Sequence, residues 1–221
     1  PLASIERIDY ANDTANAVVK GNLTSTRRRH SGIGNNEFGY FSGGIPGNVT
    51  TVERIDYSND TANAIGRFNL ADIRYSRSAT GNQSQGYFVG GKAPAISKIE
   101  RIDYANDTAD ATRKGSLSSV KYRAAATGNA NFGYIAGGLK GATPSTDALS
   151  TIDRIDYAND SSGSSPKGSL DAARYGMGAT GNQNFGYFAG GGTSAGGGTR
   201  NSYVQRIDYA NDTATTVRST N

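Results

Sequence analysis

The 221-residue chain has no cysteine and no tryptophan, one methionine (Met177) and one histidine (His30). Without cysteine there are no disulfides, thiolate metal sites or cysteine nucleophiles, and the redox compartment stays undecided. A single histidine beside Arg27, Arg28 and Arg29 offers neither a Ser–His–Asp arrangement nor a histidine-rich metal centre. No run of 18 apolar residues exists, so no membrane insertion is expected. No window keeps apolar residues at helical spacing for three turns, so helix content should be very low. Acids outside the repeated pattern, such as Asp72, Asp147 and Asp171, show no mutual spacing that would suggest a glycosidase pair. The net charge of +4 is spread along the chain, so nucleic acid is not an expected partner. No enzyme activity, cofactor or metal is expected.

What is present is a repeat. Arg-Ile-Asp-Tyr-x-Asn-Asp recurs at 7–13, 54–60, 101–107, 154–160 and 206–212, its arginines 47, 47, 53 and 52 residues apart. Gly-Tyr-Phe-x-Gly-Gly, or a close variant, recurs at 39–44, 86–91, 133–138 and 186–191. A period near 50 marks a repeat architecture. Within each unit the motif tyrosine precedes a leucine (Leu23, Leu70, Leu117, Leu170) by 13 residues, and that leucine precedes the next Gly-Tyr-Phe tyrosine by 17. Length varies only between the double glycine and the next Arg-Ile-Asp-Tyr, in 45–51, 92–97, 139–150 and 192–202. Such insertions belong in surface loops gathered on one face, often the binding face.

Each unit predicts four short strands. Residues 77–80 and 86–89 flank a Gly- and Asn-containing loop of hairpin length. Residues 99–104 make a third strand, stopped by Ala-Asn-Asp. A weaker fourth falls at 17–20 or 112–114. Four strands per period is the unit of a propeller blade.

These residues resemble the kelch repeat family: an aromatic strand ending in Gly-Gly (Tyr87, Phe88, Val89, Gly90, Gly91), a strand ending in Tyr (Ile102, Asp103, Tyr104), then a basic residue, Lys121, after Leu117. The resemblance spans nearly all 221 residues and implies an all-β, kelch-like β-propeller. One departure is the missing tryptophan; Ala15, Ala62, Ala109 and Ala214 lie near its usual place, so thinner blades are expected. The copper oxidases among kelch-like propellers need a Cys–Tyr crosslink and histidine ligands that this chain lacks. The repeats are also similar to those of marine bacteriophage tail and appendage proteins.

The expected organisation is one domain, 1–221, with a half-blade at 1–22 and blades at about 26–70, 73–117, 120–170 and 173–221. The chain opens at Pro1 without Met, which suggests processing or origin in a longer chain. The half-blade lacks two strands, so a five-blade ring would need another chain or a further segment, and self-association or a head-to-tail filament is expected.

Candidate sites follow from the repeat. Arg27, Arg74, Lys121 and Arg174 recur four residues after the leucine, with Tyr75, Tyr122 and Tyr175 beside three of them. Such a cation ring beside aromatics suits an anionic sugar or carboxylate; the alternative is packing within each blade. Arg and Asp of Arg-Ile-Asp, two apart and about 7 Å along one strand face, suggest an ion-pair ladder between blades. Asp-Tyr-Ala-Asn-Asp-Thr lacks the glycine and distal glutamate of an EF-hand and fits a turn, not a Ca²⁺ loop. The same turns carry glycosylation sequons at Asn12, Asn59, Asn106, Asn159 and Asn211. In the variable connections the candidate contact residues are Pro46, Asn48, Lys92, Pro94, Lys140, Thr143, Thr193 and Arg200. The reading is a non-enzymatic structural or adhesive propeller, extracellular or on a virion, such as a phage tail-fibre module meeting a host-surface glycan or protein. Alternatives are a subunit of an extracellular filament and a kelch-type protein-binding adaptor.

Overall fold

A computed structural model describes residues 2–47, 49–142, 144–193 and 199–218. Two strands, β1 (Leu2–Arg7) and β2 (Val18–Arg27), form an antiparallel outer pair. Four four-stranded antiparallel sheets follow. The first blade is β3 (Ser31–Gly34), β4 (Phe38–Ser42), β5 (Thr51–Asp56) and β6 (Ile65–Asn69). The second is β7 (Ser78–Gly81), β8 (Gln85–Val89), β9 (Lys98–Asp103) and β10 (Thr112–Ser116). The third is β11 (Ala125–Gly128), β12 (Phe132–Ala136), β13 (Thr151–Asp156) and β14 (Ser165–Ser169). After β15 (Arg174–Tyr175) comes the fourth: β16 (Gly178–Gly181), β17 (Phe185–Ala189), β19 (Val204–Asp208) and β20 (Val217–Arg218), with β18 (Gly192–Thr193) pairing β15. The innermost strands pack in sequence, β3 on β7, β7 on β11 and β11 on β16. The architecture is an all-β propeller of four full blades with an additional strand pair, as the four-strand period implied.

Each Arg-Ile-Asp strand ends because its aspartate turns back on the chain. The Asp56, Asp103, Asp156 and Asp208 carboxylates accept from the backbone N–H two residues on, capping a 3₁₀ turn that starts at the motif tyrosine. These aspartates are therefore turn caps. The expected ladder exists, but its acid is the other aspartate, that of Asn-Asp in the following blade. Arg54 reaches Asp107 at 2.7 Å, Arg101 reaches Asp160 at 2.9 Å and Arg154 reaches Asp212 at 2.8 Å. A tyrosine hydroxyl from the strand before donates to the same carboxylate at 3.0 Å each time: Tyr40, Tyr87 and Tyr134. A second cation, Arg67, Lys114 or Lys167, holds the other oxygen. Burial raises the Asp107 carboxyl, but hydrogen bonds from Arg67, Tyr40 and Arg54 outweigh it and hold the group below its ordinary range.

The same joint stacks two tyrosines. Tyr40 lies on Tyr104, Tyr87 on Tyr157 and Tyr134 on Tyr209, with centroids 5.1, 4.9 and 4.6 Å apart. Such contacts are worth about 0.5–1.5 kcal/mol beyond area burial. The lower tyrosine's hydroxyl sits over the glycine that opens Gly-Tyr-Phe: a Cβ on Gly86 would lie 2.6 Å from the Tyr104 hydroxyl. The double glycine has its own cause. Gly90 and Gly91 both have positive φ (62° and 111°), and a Cβ on Gly90 would lie 2.2 Å from the Lys121 carbonyl oxygen of the next blade.

The outer strands come close enough for backbone contact: Gly21 N–H donates to the Asp60 carbonyl at 2.9 Å and Gly168 N–H to that of Asp212 at 2.7 Å.

Candidate ligand face

The two ends of the propeller differ in chemistry. One carries the inner hairpin turns and the Asn-Asp turns. Its acids include Asp9, Asp13, Glu37, Asp56, Asp103, Asp156 and Asp208, and the amides of Asn82, Gln83, Asn129 and Gln183 line a shallow cavity of about 410 Å³. The five sequon asparagines, Asn12, Asn59, Asn106, Asn159 and Asn211, are exposed in turns at this end.

The other end carries every variable connection. Each is pinned at its base to the segment entering the same blade: Arg28 pairs with Ile45, Tyr75 with Lys92, Tyr122 with Leu139 and Tyr175 with Gly192. The segments climb from blade to blade through backbone hydrogen bonds. Ser76 N–H donates to the Arg29 carbonyl at 2.8 Å, Arg123 to Ser76 at 3.0 Å and Gly176 to Arg123 at 2.8 Å. All four residues adopt left-handed backbone, φ 60°, 54°, 54° and 65°. This staircase lines a cavity of about 410 Å³ whose walls include Arg29, Ser76, Arg123, Tyr175, Met177 and Arg200. Among the described residues three guanidinium groups and no carboxylate border it. The site is an open, cationic mouth with an aromatic wall, chemistry suited to a carboxylate, sulfate or phosphate group.

The four recurring cations lie below this surface. Arg27 is buried in an ion pair with Glu53 and also donates to the Gly43 carbonyl. Lys121 is buried against Asp153 at 2.7 Å; burial pulls its ammonium below the ordinary value while Asp153 opposes that shift. Arg174 is buried, donating to the Gly190 carbonyl at 3.3 Å and lying 4.6 Å from the Tyr203 ring centroid. Arg74 is half-buried, with Asp72 and the Ile73 carbonyl as partners. In that blade Arg77 takes the buried place, pairing with Glu100 at 2.5 Å. These groups do not converge on one point. Each is held by its own blade, and removing one partner would leave a buried charge exposed to the full desolvation penalty.

Tyr122 is also buried, its hydroxyl donating to the Gly141 carbonyl at 2.6 Å and its ring 4.8 Å from the Lys92 ammonium. Tyr75 is half-buried, with the Arg29 guanidinium 5.8 Å from its centroid, and Tyr175 is half-buried on the cavity wall. Among the loop candidates, Pro46, Pro94, Lys140 and Arg200 are exposed on this end, while Lys92 and Thr193 are half-buried. Asn48 and Thr143 lie outside the described residues.

Sequence reasoning missed two sets. Glu53, Glu100 and Asp153 accept from the backbone N–H groups of Thr24, Ala71 and Ser118 as well as pairing the buried cations. Their signal was available, an acid before Arg-Ile-Asp-Tyr in four of five copies. Arg29 and Arg123 gave none, because their equivalents are Ser76 and Gly176. Among the described residues no group of three histidine or acidic side chains is placed to hold a metal ion.

No protein-family model matches the chain, and no curated protein is significantly similar to it.

Proposed function

We propose that the chain is a non-enzymatic, structural and adhesive propeller whose variable face binds an anionic group on another surface. The observation that carries this is the division of labour within the repeat. Its recurring arginine, aspartate, tyrosine and glycine side chains are taken up by joints between blades, whereas the connections that differ converge on one end around Arg29, Arg123 and Arg200. A scaffold of near-identical blades holding unlike loops is an arrangement for recognition. Guanidinium groups at an open mouth favour sulfated or carboxylated sugars over neutral ones. The resemblance of the repeats to phage tail and appendage proteins favours an extracellular or virion-surface setting, with a host-surface glycan or protein as the partner.

An array of neutral, sialylated and sulfated glycans tests this. Binding confined to the anionic sugars, and weakened about tenfold or more by Arg123→Ala with Arg200→Ala, is the expected result. Uniform silence on the anionic sugars would overturn it.

A further inference from the structure

The joint between blades is built three times in full and once in part. At each full joint an aspartate receives one tyrosine hydroxyl and two cations, and the stacked motif tyrosine is covered. At the joint between the β1–β2 pair and the first blade, Asp60 receives Arg7 at 2.7 Å and Lys20 at 3.3 Å but, among the described residues, no tyrosine. Among the described residues Tyr57 has no stacking ring there, and it is 46% exposed, against 8, 7 and 9% for Tyr104, Tyr157 and Tyr209. Where the ring and its strands would lie is a groove of about 560 Å³ lined by Ile5, Arg7, Tyr10, Ile55, Tyr57 and Asp60.

The groove runs along an open ladder. β1 pairs β2 on one side; its other edge is the one at which β5, β9, β13 and β19 receive β4, β8, β12 and β17. In those four pairs the aromatic-strand tyrosine lies opposite the motif arginine: Tyr40 and Arg54, Tyr87 and Arg101, Tyr134 and Arg154, Tyr187 and Arg206. Arg7 holds that place on β1. The far side of the opening is complementary too. All four residues of β16 are exposed; Arg206 is exposed and lies over the Phe185 ring as Arg54 and Arg154 lie over Phe38 and Phe132, but among the described residues it has no aspartate partner; and the equivalent aspartate, Asp13, is exposed at the other end beside Tyr10, which is 93% exposed.

We infer that this groove is a docking slot for an antiparallel β-hairpin bearing the repeat's own inner-pair sequence, Thr-Gly-Asn-x-x-Phe-Gly-Tyr-Phe-x-Gly-Gly. The hairpin's tyrosine donates to Asp60 and covers Tyr57, its threonine meets the Tyr57 hydroxyl as Thr80 meets that of Tyr157 at 2.9 Å, and its second strand pairs with β1. The glycine before its tyrosine is required because the Tyr10 hydroxyl would rest there. The occupant is a hairpin and not a whole blade, since the opening lacks two strands and the inner pair of the fourth blade, β16–β17, is already bound to β19. This inference does not depend on the ligand face, which lies at the end of the propeller and not along β1.

The test uses the full chain and a fluorescein-labelled synthetic peptide with the sequence of residues 178–191, read by anisotropy and thermal unfolding. One-to-one binding with a raised melting temperature is expected. It should weaken about tenfold or more with Tyr57→Ala or Asp60→Asn, and equally when the peptide's own tyrosine is replaced by alanine. Because the Tyr57 hydroxyl also rests against Gly34 and Gly39, its variant can lower the melting temperature of the free chain; the peptide's own tyrosine-to-alanine change, which leaves the chain untouched, separates lost docking from lost folding. No binding up to about millimolar peptide, or binding indifferent to both variants, would overturn the slot. Sedimentation of the chain alone should show a monomer. A dimer abolished by Arg206→Ala or Asp13→Ala would overturn the hairpin in favour of a second copy docked through its fourth blade.

Discussion

The joint between the second and third blades and the joint between the β1–β2 pair and the first blade use the same residue types and differ in completeness. At the first, Asp160 gathers Tyr87, Arg101 and Lys114 under a Tyr87–Tyr157 stack. At the second, Asp60 holds only its two cations and Tyr57 faces a groove. The difference teaches that the repeated motif specifies contact with the next unit more than structure within its own. At 101–104 Arg-Ile-Asp-Tyr is strand to Asp103 and then a 3₁₀ turn, whereas at 7–10 the strand stops at Arg7 and only the Asp9 cap on the Ala11 N–H is kept, so both its local form and what its neighbours bury depend on whether strands stand beside it. Repeat stability of this kind is a sum of unit and nearest-neighbour terms, so damage at a full joint and at an open one should differ in size.

The largest expected contrast is in the double glycine. Gly90→Ala places a methyl 2.2 Å from the Lys121 carbonyl oxygen at φ 62°, combining overpacking with left-handed strain. A loss of about 3 kcal/mol or more in urea unfolding is expected. Gly190 has nearly the same φ, 67°, but among the described residues the nearest atom to its Cβ is 3.4 Å away, with no neighbouring blade's carbonyl against it. Gly190→Ala should therefore cost about 1–2 kcal/mol, the backbone strain alone. Equal losses would show that strain, not contact with the next blade, decides both.

The aspartates give the next contrast. Asp160→Ala removes the acceptor of a tyrosine and two cations in a buried place and should cost about 2–3 kcal/mol. Asp13→Ala, at the equivalent but exposed position, should change stability by less than about 0.5 kcal/mol. Comparable losses would mean that Asp13 already has a partner in solution.

Protonation should act on the joint between the first and second blades in the same direction. Asp107 lies below the ordinary 3.8 because its hydrogen-bond donors outweigh burial, and Asp72 lies below it because of Lys98. A carboxyl depressed on folding adds stability that is complete above the unfolded value and lost as pH falls through the folded one. The melting temperature should hold from about pH 7 to 5 and fall below about pH 4. Asp107→Asn should flatten that fall. A profile unchanged by the substitution would remove Asp107 from the acid transition.

Much of the fold was legible because the period, the double glycine and the β-rich runs repeat in register. Strands expected at 77–80, 86–89 and 99–104 form at Ser78–Gly81, Gln85–Val89 and Lys98–Asp103. The ladder's acid was not legible. Arg54 and Asp56 share a strand face by spacing, but the strand ends at Asp56, whose carboxylate caps the turn, so the partner must come from the next sheet. Nor was the depth of the cations. Glu53, Glu100 and Asp153 occupy inward positions that alternation assigns to apolar side chains, and only the tertiary fold shows Arg27, Arg77 and Lys121 meeting them there. The cationic mouth is legible in no single repeat, since its arginines sit where other blades have serine or glycine and one comes from a connection of unique length.

The smallest expected effect is a repair. Thr80 and Thr127 bond the hydroxyls of Tyr157 and Tyr209 in the next blade. The matching position before Tyr104 is Ile33, and among the described residues the buried Tyr104 hydroxyl has no hydrogen-bond partner. An unpaired buried hydroxyl costs about 1–3 kcal/mol, while the isoleucine is only half-buried and returns part of that through apolar contact. Ile33→Thr should thus raise stability by about 0.5–1 kcal/mol, and Thr80→Val should lower it by about 1 kcal/mol. A stabilising substitution at the first joint and a destabilising one at the second would show that the two differ by this one hydrogen bond. If Ile33→Thr destabilises instead, the first joint is held more by apolar packing than by the tyrosine's hydroxyl.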